Sequence, residues 1–393
     1  MARIGIDYTA AARQRAGIGR YTRELVRALL ALERSLGGRN RYTVFAATGG
    51  LSPETADCFN LLDLAPGAGV RVRTVPLTDE WLARLWHRLR LPIPVELVTG
   101  PLDVFYSPDF VLPPTRRGTR TLLTVHDLSF LRYPEAFVPP LLRYLERVVP
   151  RSIARADRVL ADSAHTRSDI VSLLAVPAGK VRVLYSGVDA RFSPQGGPDE
   201  DEWLKGRYGL KPGAYVLSVG TLQPRKNYVR LMRAFAALRP GTLGPGCQLV
   251  IAGGRGWLYE DILAESEKHG DRVRILGFVD DADLPALYRN AALFAFPSLY
   301  EGFGLPVLEA MACGVPVVCS DASSVPEVAG DAALLVDPLD TEGLTAAMDR
   351  VLRDANLRQK LVDRGLAQAA RFSWEQAARQ LQATFNEMGP CRS

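Results

Sequence analysis

The sequence predicts an α/β protein built from two doubly wound, Rossmann-like domains. The chain has 393 residues, more than one ordinary hydrophobic core contains. Short apolar runs typical of strands alternate with segments of helical spacing, which indicates βαβ units and mainly parallel sheets. The Pro/Gly/acidic run SPQGGPDEDE at 193–202 interrupts the alternation once, and the pattern then restarts. We therefore expect domains at 1–192 and 203–372, joined by a linker.

The first predicted domain contains seven strand-like runs. The first run is followed by a glycine-containing turn, AGIGRY, and by an amphipathic helix at about 20–35. In chain order the runs are RIGIDY (3–8), YTVFAA (42–47), VRVRTV (70–75), DVFYSP (103–108), TLLTVHD (121–127), RVLADS (158–163) and VRVLYSG (181–187).

The second predicted domain repeats this pattern. We expect a helix near 227–238, and FSWEQAARQLQATF (372–385) predicts a final helix with Ser373 as its N-cap. The pattern alone does not tell which domain this final helix packs against. The strand-like runs are AYVLSVG (214–220), QLVIAGG (248–254), VRILGF (273–278), LFAFPS (293–298) and VPVVCSD (315–321).

The composition is typical of a soluble globular protein, with 47% hydrophobic and 23% charged residues. No stretch approaches the roughly 20 apolar residues of a membrane helix, and we expect no secretory signal at the N-terminus. The cysteines are scattered without paired spacing, which favours reduced thiols in a cytoplasmic protein over disulfides or a zinc site. They are Cys58, Cys247, Cys313, Cys319 and Cys391.

The segment PSLYEGFGLPVLEAMACG (297–314) places two carboxylates, Glu301 and Glu309, in an apolar setting. We expect Glu301 on a glycine-rich loop after a strand, and Glu309 in the first turn of a helix between Pro306 and Gly314. An ionised carboxylate can accept hydrogen bonds from two hydroxyls of one sugar ring. The alternative is a solvated Glu301 and a Glu309 that only complements the helix dipole.

The loop SVGTLQPRKN (218–227) carries Arg225 and Lys226 between a strand and a helix. Cations at the carboxyl end of a strand, beside a helix N-terminus, can bind a diphosphate. Taken alone this signal is weak, because an Arg-Lys pair is more often two solvated loop residues.

Together these motifs resemble the retaining nucleotide-sugar glycosyltransferases of glycosyltransferase family 4, which have the GT-B fold. The resemblance rests on the E-x7-E segment and on VGTLQPRKN, and it extends from AGIGRY through TVHDLSFLRYPE to the FSW helix. It implies two Rossmann-like domains facing across a cleft. The N-terminal domain would bind the acceptor, the C-terminal domain the nucleotide-sugar, and the helix at 373–393 would cross back onto the N-terminal domain.

The resemblance also implies roles for single residues. Glu309 would bind the ribose hydroxyls and Glu301 the transferred sugar, while Arg225 and Lys226 would neutralise the diphosphate. His126, in the HD segment that ends a strand, would lie beside the donor sugar, although a lone histidine is more often structural. For the two glycines of the first turn, an ordinary strand-to-helix turn is an open alternative. The other donor-binding candidates are Gly17, Gly19, Ser163, Gly220, Gly302, Phe303, Gly304 and Leu305.

The sequence predicts no metal and no cofactor beyond the donor substrate. Two acidic triplets, DED at 199–201 and DAD at 281–283, imitate a metal-binding DxD. The first lies in the predicted linker and the second begins a helix, so we interpret both as structural. By resemblance, the leaving phosphate takes the acceptor proton and the anomeric configuration is retained.

The N-terminal half carries an excess of positive charge. Residues 1–195 contain 27 Lys and Arg against 18 Asp and Glu, whereas the remainder contains 21 against 25. This favours either an anionic surface or acceptor, such as a phospholipid-linked substrate, or simply an arginine-rich surface. The segment DEWLARLWHRLRLPIP (79–94) predicts a helix that either lies on a membrane or packs on the N-terminal sheet. Nothing in the sequence indicates nucleic-acid binding.

The sequence thus predicts a cytoplasmic hexosyltransferase acting on a glycan or lipid-linked acceptor, as in polysaccharide biosynthesis, and leaves peripheral contact with the inner membrane face open. The TVHDLSFLRYPE segment favours mannosyltransferase-like members. One alternative is a sugar phosphorylase or sugar-nucleotide epimerase on the same fold. Another is a non-catalytic GT-B partner subunit that binds a nucleotide-sugar. The sequence does not identify the sugar, the base or the acceptor.

Overall fold

The computed structural model describes residues 1–14, 17–38, 40–51, 69–239, 241–242 and 246–389. Its internal contacts divide the chain into two compact units. Unit 1 comprises Met1–Leu128, Arg143–Gly187 and Ser373–Ser393, and unit 2 comprises Ser129–Leu142 and Val188–Phe372. Each unit contains a parallel sheet with helices, which confirms the predicted α/β fold class.

Unit 1 is built on a seven-stranded parallel sheet. Its strands are β1 (Arg3–Asp7), β2 (Arg41–Ala47), β3 (Val70–Val75), β4 (Val104–Ser107), β5 (Arg120–Val125), β6 (Arg158–Ala161) and β7 (Val181–Val183). The strand order is β3-β2-β1-β4-β5-β6-β7. The central strands β4 and β5 are buried almost throughout, as expected when helices cover both faces of a parallel sheet.

Among the helices of unit 1, Ile18–Ser35 packs against Trp374–Met388. Ser373 caps the latter helix, because its Oγ accepts a hydrogen bond from the Gln376 backbone N–H at 3.2 Å. The C-terminal helix therefore belongs to unit 1. The helical segments are Thr9–Arg13, Ile18–Ser35, Asp79–Ala83 with a π-helical turn Arg84–Arg88, Glu96–Thr99, Pro139–Arg155 (which begins in unit 2), Ala164–Leu173, the 3₁₀ turn Ala178–Lys180 and Trp374–Met388.

Unit 2 is built on a six-stranded parallel sheet. Its strands are β8 (Tyr215–Val219), β9 (Gln248–Ala252), β10 (Val273–Gly277), β11 (Leu293–Phe296), β12 (Val317–Ser320) and β13 (Ala333–Val336). The strand order is β10-β9-β8-β11-β12-β13. Its helical segments are Ser129–Arg132, Pro134–Ala136, Glu200–Tyr208, Pro224–Lys226, Tyr228–Ala236, Glu260–Glu267, Gly270–Arg272, Leu284–Arg289, Leu305–Ala312, Val325–Ala329, Thr341–Arg353 and Ala355–Ala369.

Three elements differ from the sequence prediction. The expected linker is partly helical, because Glu200–Tyr208 begins with acidic residues that favour a helix N-terminus. Strand β13 was not predicted; it is only four residues long and is partly buried. The helix expected over 79–94 ends at Arg88, before Arg90, which has a positive φ of 55°, and before two prolines.

The segment 129–142 lies in the first half of the sequence but belongs to unit 2. The indole N–H of Trp257 donates to the carbonyl of Ala136 at 2.6 Å, and the rings of Phe137 and Trp257 lie 5.6 Å apart. The rings of Tyr133 and Tyr300 lie 6.1 Å apart. The YPE part of TVHDLSFLRYPE therefore shares a unit with Glu301, an arrangement that strand periodicity did not indicate.

Candidate active site

Unit 2 brings its charged candidates together at the switch point of its sheet. The strand order reverses between β8 and β11, and ligands of such sheets bind outside the carboxyl ends of the strands at this position. The loop after β8 carries Arg225 and Lys226, and the loop after β11 carries Glu301. Because β8 and β11 are paired neighbours, the two loops start side by side.

The loop after β8 forms a 3₁₀ turn, Pro224–Lys226, that orients the two cations. Asn227 ends this turn in the left-handed conformation, with φ of 61°, which asparagine adopts more readily than most residues. Its side-chain N–H group donates to the carbonyls of Pro297 at 2.9 Å and Pro338 at 2.7 Å. Asn227 thereby ties this loop to the loop after β11.

The backbone of the loop after β11 is held on both sides of Glu301. The Leu299 N–H donates to the Arg225 carbonyl at 2.9 Å. The Glu301 N–H donates to Ser323 Oγ at 2.8 Å, and the Ser324 hydroxyl donates to the Glu301 carbonyl at 2.9 Å. The backbone at Glu301 is thus fixed by hydrogen bonds with two other segments.

Glu301 forms a buried ion cluster with both cations. Lys226 Nζ lies 2.6 Å from Glu301 Oε1, Arg225 Nη1 lies 2.9 Å from Oε2, and Ser298 Oγ donates to Oε1. The three charged side chains are each only 10–12% exposed. Burial alone would raise the pKa of Glu301, but Arg225 and Lys226 outweigh it and lower that pKa to about 2. Glu301 is therefore ionised at neutral pH.

This cluster can exchange partners with an anionic ligand. Two cations face one carboxylate, so the cluster has a net positive charge that an added anion would neutralise. Arg225 also donates to the Tyr300 carbonyl. Two buried cations at a switch point can bind a diphosphate, and a carboxylate beside them can accept from sugar hydroxyls.

Gly220 leaves space for this cluster at the end of β8. A Cβ atom built on Gly220 would lie 3.1 Å from Lys226 Cε and from the Tyr228 hydroxyl oxygen. The Tyr228 hydroxyl donates to the Gly220 carbonyl at 2.7 Å. A side chain at this position would therefore push Lys226 or Tyr228 aside by a few tenths of an ångström.

The glycine-rich loop after Glu301 is anchored in the core of unit 2. Phe303 is buried, with its ring 5.7 Å from that of Phe372. Gly304 has φ of 115°, which side chains disfavour, and it directly precedes the helix that Leu305 begins. Gly302, between Glu301 and the anchor, is buried as well.

Glu309 is buried away from the first turn of its helix. It is the fifth residue of Leu305–Ala312, so the prediction of a first-turn position is wrong, because the helix starts one residue before Pro306. Its Oε2 accepts from the Tyr288 hydroxyl at 3.0 Å. The helix dipole weakens beyond the first turn, so dipole complementarity explains Glu309 poorly.

His126 lies in unit 1, whereas Glu301, Arg225 and Lys226 lie in unit 2. It directly follows β5 and is buried. Its Nδ1 lies 2.7 Å from Asp162 Oδ2, and its Nε2 lies 2.9 Å from the Pro108 carbonyl oxygen. Both ring nitrogens of this candidate are thus bonded within unit 1.

The other unit 1 candidates have local structural partners. Gly17, with φ of 58°, precedes the helix Ile18–Ser35, and a Cβ on Gly19 would lie 2.1 Å from the Gln14 carbonyl oxygen. Ser163 caps the helix Ala164–Leu173, because its Oγ accepts from the Thr166 N–H at 3.0 Å. These contacts explain why Gly17, Gly19 and Ser163 stand at these positions, and no bound ligand is needed for that explanation.

Comparison with known proteins identifies the family. Residues 15–192 match the Glycosyltransferase Family 4 domain, and residues 204–368 match the Glycosyl transferases group 1 domain. The O-antigen chain mannosyltransferase B of Escherichia coli is 39% identical over 280 residues, which cover 70% of this chain and 72% of that protein. The chain belongs to the GT-B glycosyltransferases of the family 4 type.

Solved structures share the fold of this glycosyltransferase. Sucrose-phosphate synthase from Thermosynechococcus elongatus has a TM-score of 0.73 at 21% identity and covers 99% of both chains. Anabaena HepE, in complex with UDP and glucose, has a TM-score of 0.72 at 20% identity and covers 98% of this chain and 100% of that one. These likenesses confirm the GT-B architecture predicted from the sequence.

The sequence did not single out four residues of the glycosyltransferase that bind its candidates. Ser298 and Asn227 hold the ion cluster, Tyr288 binds Glu309, and Asp162 binds His126. Ser298 and Asp162 stand within two residues of a strand's carboxyl end, a signal that could have found them. Tyr288 lies on a separate helix, and its sequence position carries no such signal.

The acidic triplets of the glycosyltransferase are engaged in contacts between helices. Glu200 pairs with Arg289, and Asp283 accepts from Arg207 Nε at 2.7 Å and from the Tyr208 hydroxyl at 2.6 Å. Within the described ranges, no cluster of three His, Cys, Asp or Glu has the proximity to hold a metal ion. Cys58 and Cys391 lie outside the described residues, and Cys247, Cys313 and Cys319 are free thiols.

Proposed function

We propose that this glycosyltransferase moves a mannosyl or related hexosyl group from a nucleoside-diphosphate sugar to a hydroxyl of a glycan or lipid-linked acceptor. The transfer proceeds with retention of configuration and without a metal ion. The observation that carries the proposal is the buried cluster of Arg225, Lys226 and Glu301 at the switch point of unit 2. The identity to an O-antigen chain mannosyltransferase supports mannose as the sugar.

Arg225 and Lys226 bind the diphosphate of the donor in this proposal. When the bond between the anomeric carbon and the phosphate oxygen breaks, negative charge develops on the departing phosphate. Preorganised cations in a buried site stabilise such charge strongly, and in other enzymes a metal ion supplies the same stabilisation. The two cations are buried and fixed by the Asn227 turn, which supports this assignment.

The two carboxylates of the E-x7-E segment divide the hydroxyl groups of the donor. Glu301, on the loop beside the cations, accepts from hydroxyls of the transferred sugar. Glu309, eight residues further along the chain on the helix Leu305–Ala312, accepts from the ribose hydroxyls. Their different partners in the protein, the cation pair and Tyr288, support separate roles.

Retention follows from attack on the face that the leaving group departs from. The acceptor oxygen forms the new bond to the anomeric carbon, and its proton passes to the departing phosphate oxygen. No side chain then needs to act as a nucleophile. This step rests on the resemblance to the retaining family.

The test is a transfer assay with the purified chain and GDP-mannose, UDP-glucose and ADP-glucose as donors, with and without EDTA. The proposal predicts sugar transfer or slow donor hydrolysis that survives EDTA, and an α-linked product from an α-linked donor by NMR. A strict metal requirement would refute the metal-free reaction. Phosphate-dependent release would indicate a phosphorylase, and binding without turnover would indicate a partner subunit.

We also propose that residues 77–97 of unit 1 contact an anionic membrane. Leu82 is buried and the Trp86 ring packs 6.1 Å from that of Phe45, so one face of this segment packs on the sheet. Other side chains of the segment are exposed and apolar, with arginines interspersed in the sequence, a composition found in segments that lie on anionic bilayers. Its exposed apolar residues are Leu77, Trp81, Leu89, Leu91, Ile93 and Leu97. No helix in the described part of the chain is long and apolar enough to cross a bilayer.

Vesicle sedimentation tests this contact. Binding to phosphatidylglycerol vesicles, and weaker binding to phosphatidylcholine, is expected for the unaltered chain. The double variant Trp81→Glu, Leu89→Glu should lose binding. Leu339→Glu, at an equally exposed leucine of unit 2, is the matched control and should bind normally. Equal binding by all three proteins would reject the segment as a membrane contact.

A further inference from the structure

The His126 ring is bonded on both nitrogens to groups that accept hydrogen bonds. Nε2 lies 2.9 Å from the Pro108 carbonyl oxygen, which can only accept, so Nε2 carries a hydrogen. Nδ1 lies 2.7 Å from Asp162 Oδ2, and an ionised carboxylate also only accepts. With an ionised Asp162, the ring must donate from both nitrogens and is an imidazolium.

The sheet itself produces this arrangement. Pro108, His126 and Asp162 are each the first residue after a strand, and their strands β4, β5 and β6 are neighbours. Val125 pairs with Ala161 in the register of β5 and β6, so His126 and Asp162 leave the sheet side by side. The histidine therefore links three consecutive strand ends, and its position depends on both partners.

The surroundings of the ring favour the charged form. The rings of Tyr21 and Phe110 lie edge-on to it at 4.8 and 5.4 Å, and the side chain is only 10% exposed. Burial alone would lower the pKa of His126, but the Asp162 carboxylate, with a smaller contribution from Asp109, raises it to about 9. Burial raises the pKa of Asp162, and His126 opposes that shift.

We propose that Asp162 is a positioning residue that holds His126 as a double hydrogen-bond donor, so that His126 is a fixed cation and not a proton acceptor. The assignment of both protons stands on the geometry of unit 1 together with an ionised Asp162. Its consequence for catalysis rests on the proposed transfer reaction. There, His126 keeps both protons throughout, and the acceptor proton goes to the departing phosphate.

Nitrogen NMR of the histidine rings tests the protonation state directly. The chain has four histidines, and the signals missing from a His126→Asn spectrum identify those of His126. At pH 7.5 we expect both His126 nitrogens to carry hydrogen in the unaltered protein. In Asp162→Asn, which keeps the shape but removes the charge, Nδ1 should lose its hydrogen. An unprotonated Nδ1 in the unaltered protein, the signature of a neutral pair, would overturn the proposal.

The pH dependence of transfer tests the functional half. Asp162→Asn should lower kcat at least tenfold at pH 8, with an alkaline decline that begins near pH 6.5 instead of 9 and an unchanged KM for the donor. His165→Asn, at a half-exposed histidine of the next helix, is the control and should keep the original profile. An unaltered pH profile in Asp162→Asn would overturn the positioning role.

These readouts separate the two proposals. If no donor supports transfer or hydrolysis while His126 is doubly protonated, the proposed function fails and the assignment of Asp162 and His126 stands. If transfer occurs while His126 is neutral, the assignment fails and the proposed function stands.

Discussion

Replacing Glu301 with glutamine should make this glycosyltransferase bind inorganic pyrophosphate more tightly. In the structure, the Glu301 carboxylate forms ion pairs with both cations, at 2.6 Å from Lys226 Nζ and 2.9 Å from Arg225 Nη1. The proposed function assigns the same two cations to the diphosphate. A bound diphosphate must share these cations with the carboxylate. Glu301→Gln removes the competing charge and keeps the side-chain shape, so the added anion becomes the main counter-charge.

The magnitude follows from the pKa of Glu301. Its value of about 2, against an ordinary 4.5, corresponds to about 3 kcal/mol in favour of the ionised form, at 1.36 kcal/mol per pKa unit. The variant should therefore lose about 3 kcal/mol of stability in the absence of an anion, which is the usual cost of breaking a buried ion pair. If half of this is regained on binding, pyrophosphate affinity rises about tenfold.

Calorimetric titration with pyrophosphate and thermal unfolding with and without it measure both effects. We expect a lower Tm for Glu301→Gln without pyrophosphate and a larger rise in Tm with it than for the unaltered protein. The matched control is Glu309→Gln, which changes the other buried carboxylate, bonded to Tyr288, and should show no gain in pyrophosphate affinity. A folded Glu301→Gln protein that binds pyrophosphate no better than the unaltered one would refute this reasoning, and the cluster would then be structural.

Three further outcomes are expected. Glu309→Ala should weaken binding of the free nucleoside diphosphate about 10- to 100-fold, since a lost hydrogen bond to a charged group costs about 1.5–3 kcal/mol, and unchanged affinity by titration would remove the ribose role. Arg225→Ala with Lys226→Ala should lower kcat more than about a hundredfold, and adding Glu301→Gln should restore the Tm but not the activity. The free energy of unfolding should fall as pH rises from 6.5 through 9, because the raised pKa of His126 stabilises the fold only while the ring is protonated. The free energy of unfolding should also fall as pH drops from 4.5 to 2, where Glu301 gains a proton and loses its ion pairs. Chemical unfolding at several pH values, with His126→Asn and Glu301→Gln as references, checks both limbs.

The fold was predictable because it depends on local patterns that repeat. Each buried parallel strand is a short apolar run between segments of helical spacing, and twelve such runs coincide with strands of the two sheets. Strand β13, ALLV, is a continuous apolar run but has only four residues, and periodicity alone cannot distinguish so short an apolar run from part of a helix. The membership of residues 129–142 in unit 2 depends on contacts such as that of Trp257 with Ala136, 121 residues apart in sequence, and no periodicity encodes them.

The candidate site was predictable in its residue types but not in its partners. The E-x7-E spacing and the Arg-Lys pair indicated the charged residues of the site, and the strand ends indicated where these residues would lie. The sequence could not show that Glu301 pairs with both cations, since residues 75 apart meet only through the adjacency of β8 and β11. Nor could it show that His126 has partners on both ring nitrogens, which follows from the order of β4, β5 and β6.

The two charged clusters differ in a way that bears on mechanism. In unit 2, one buried carboxylate faces two buried cations, so the cluster has a net positive charge that an added anion would neutralise. In unit 1, one histidine faces two acceptors and has only two N–H groups, so its donors are fully used. Asp162 Oδ1 is buried and accepts from no partner in the described chain, so loss of the histidine would leave a buried charge without compensation. A buried cluster with a net positive charge favours anion binding, and a histidine with both N–H groups bonded favours a fixed support. This difference supports the roles proposed for Arg225 and Lys226 in binding and for His126 as a fixed cation.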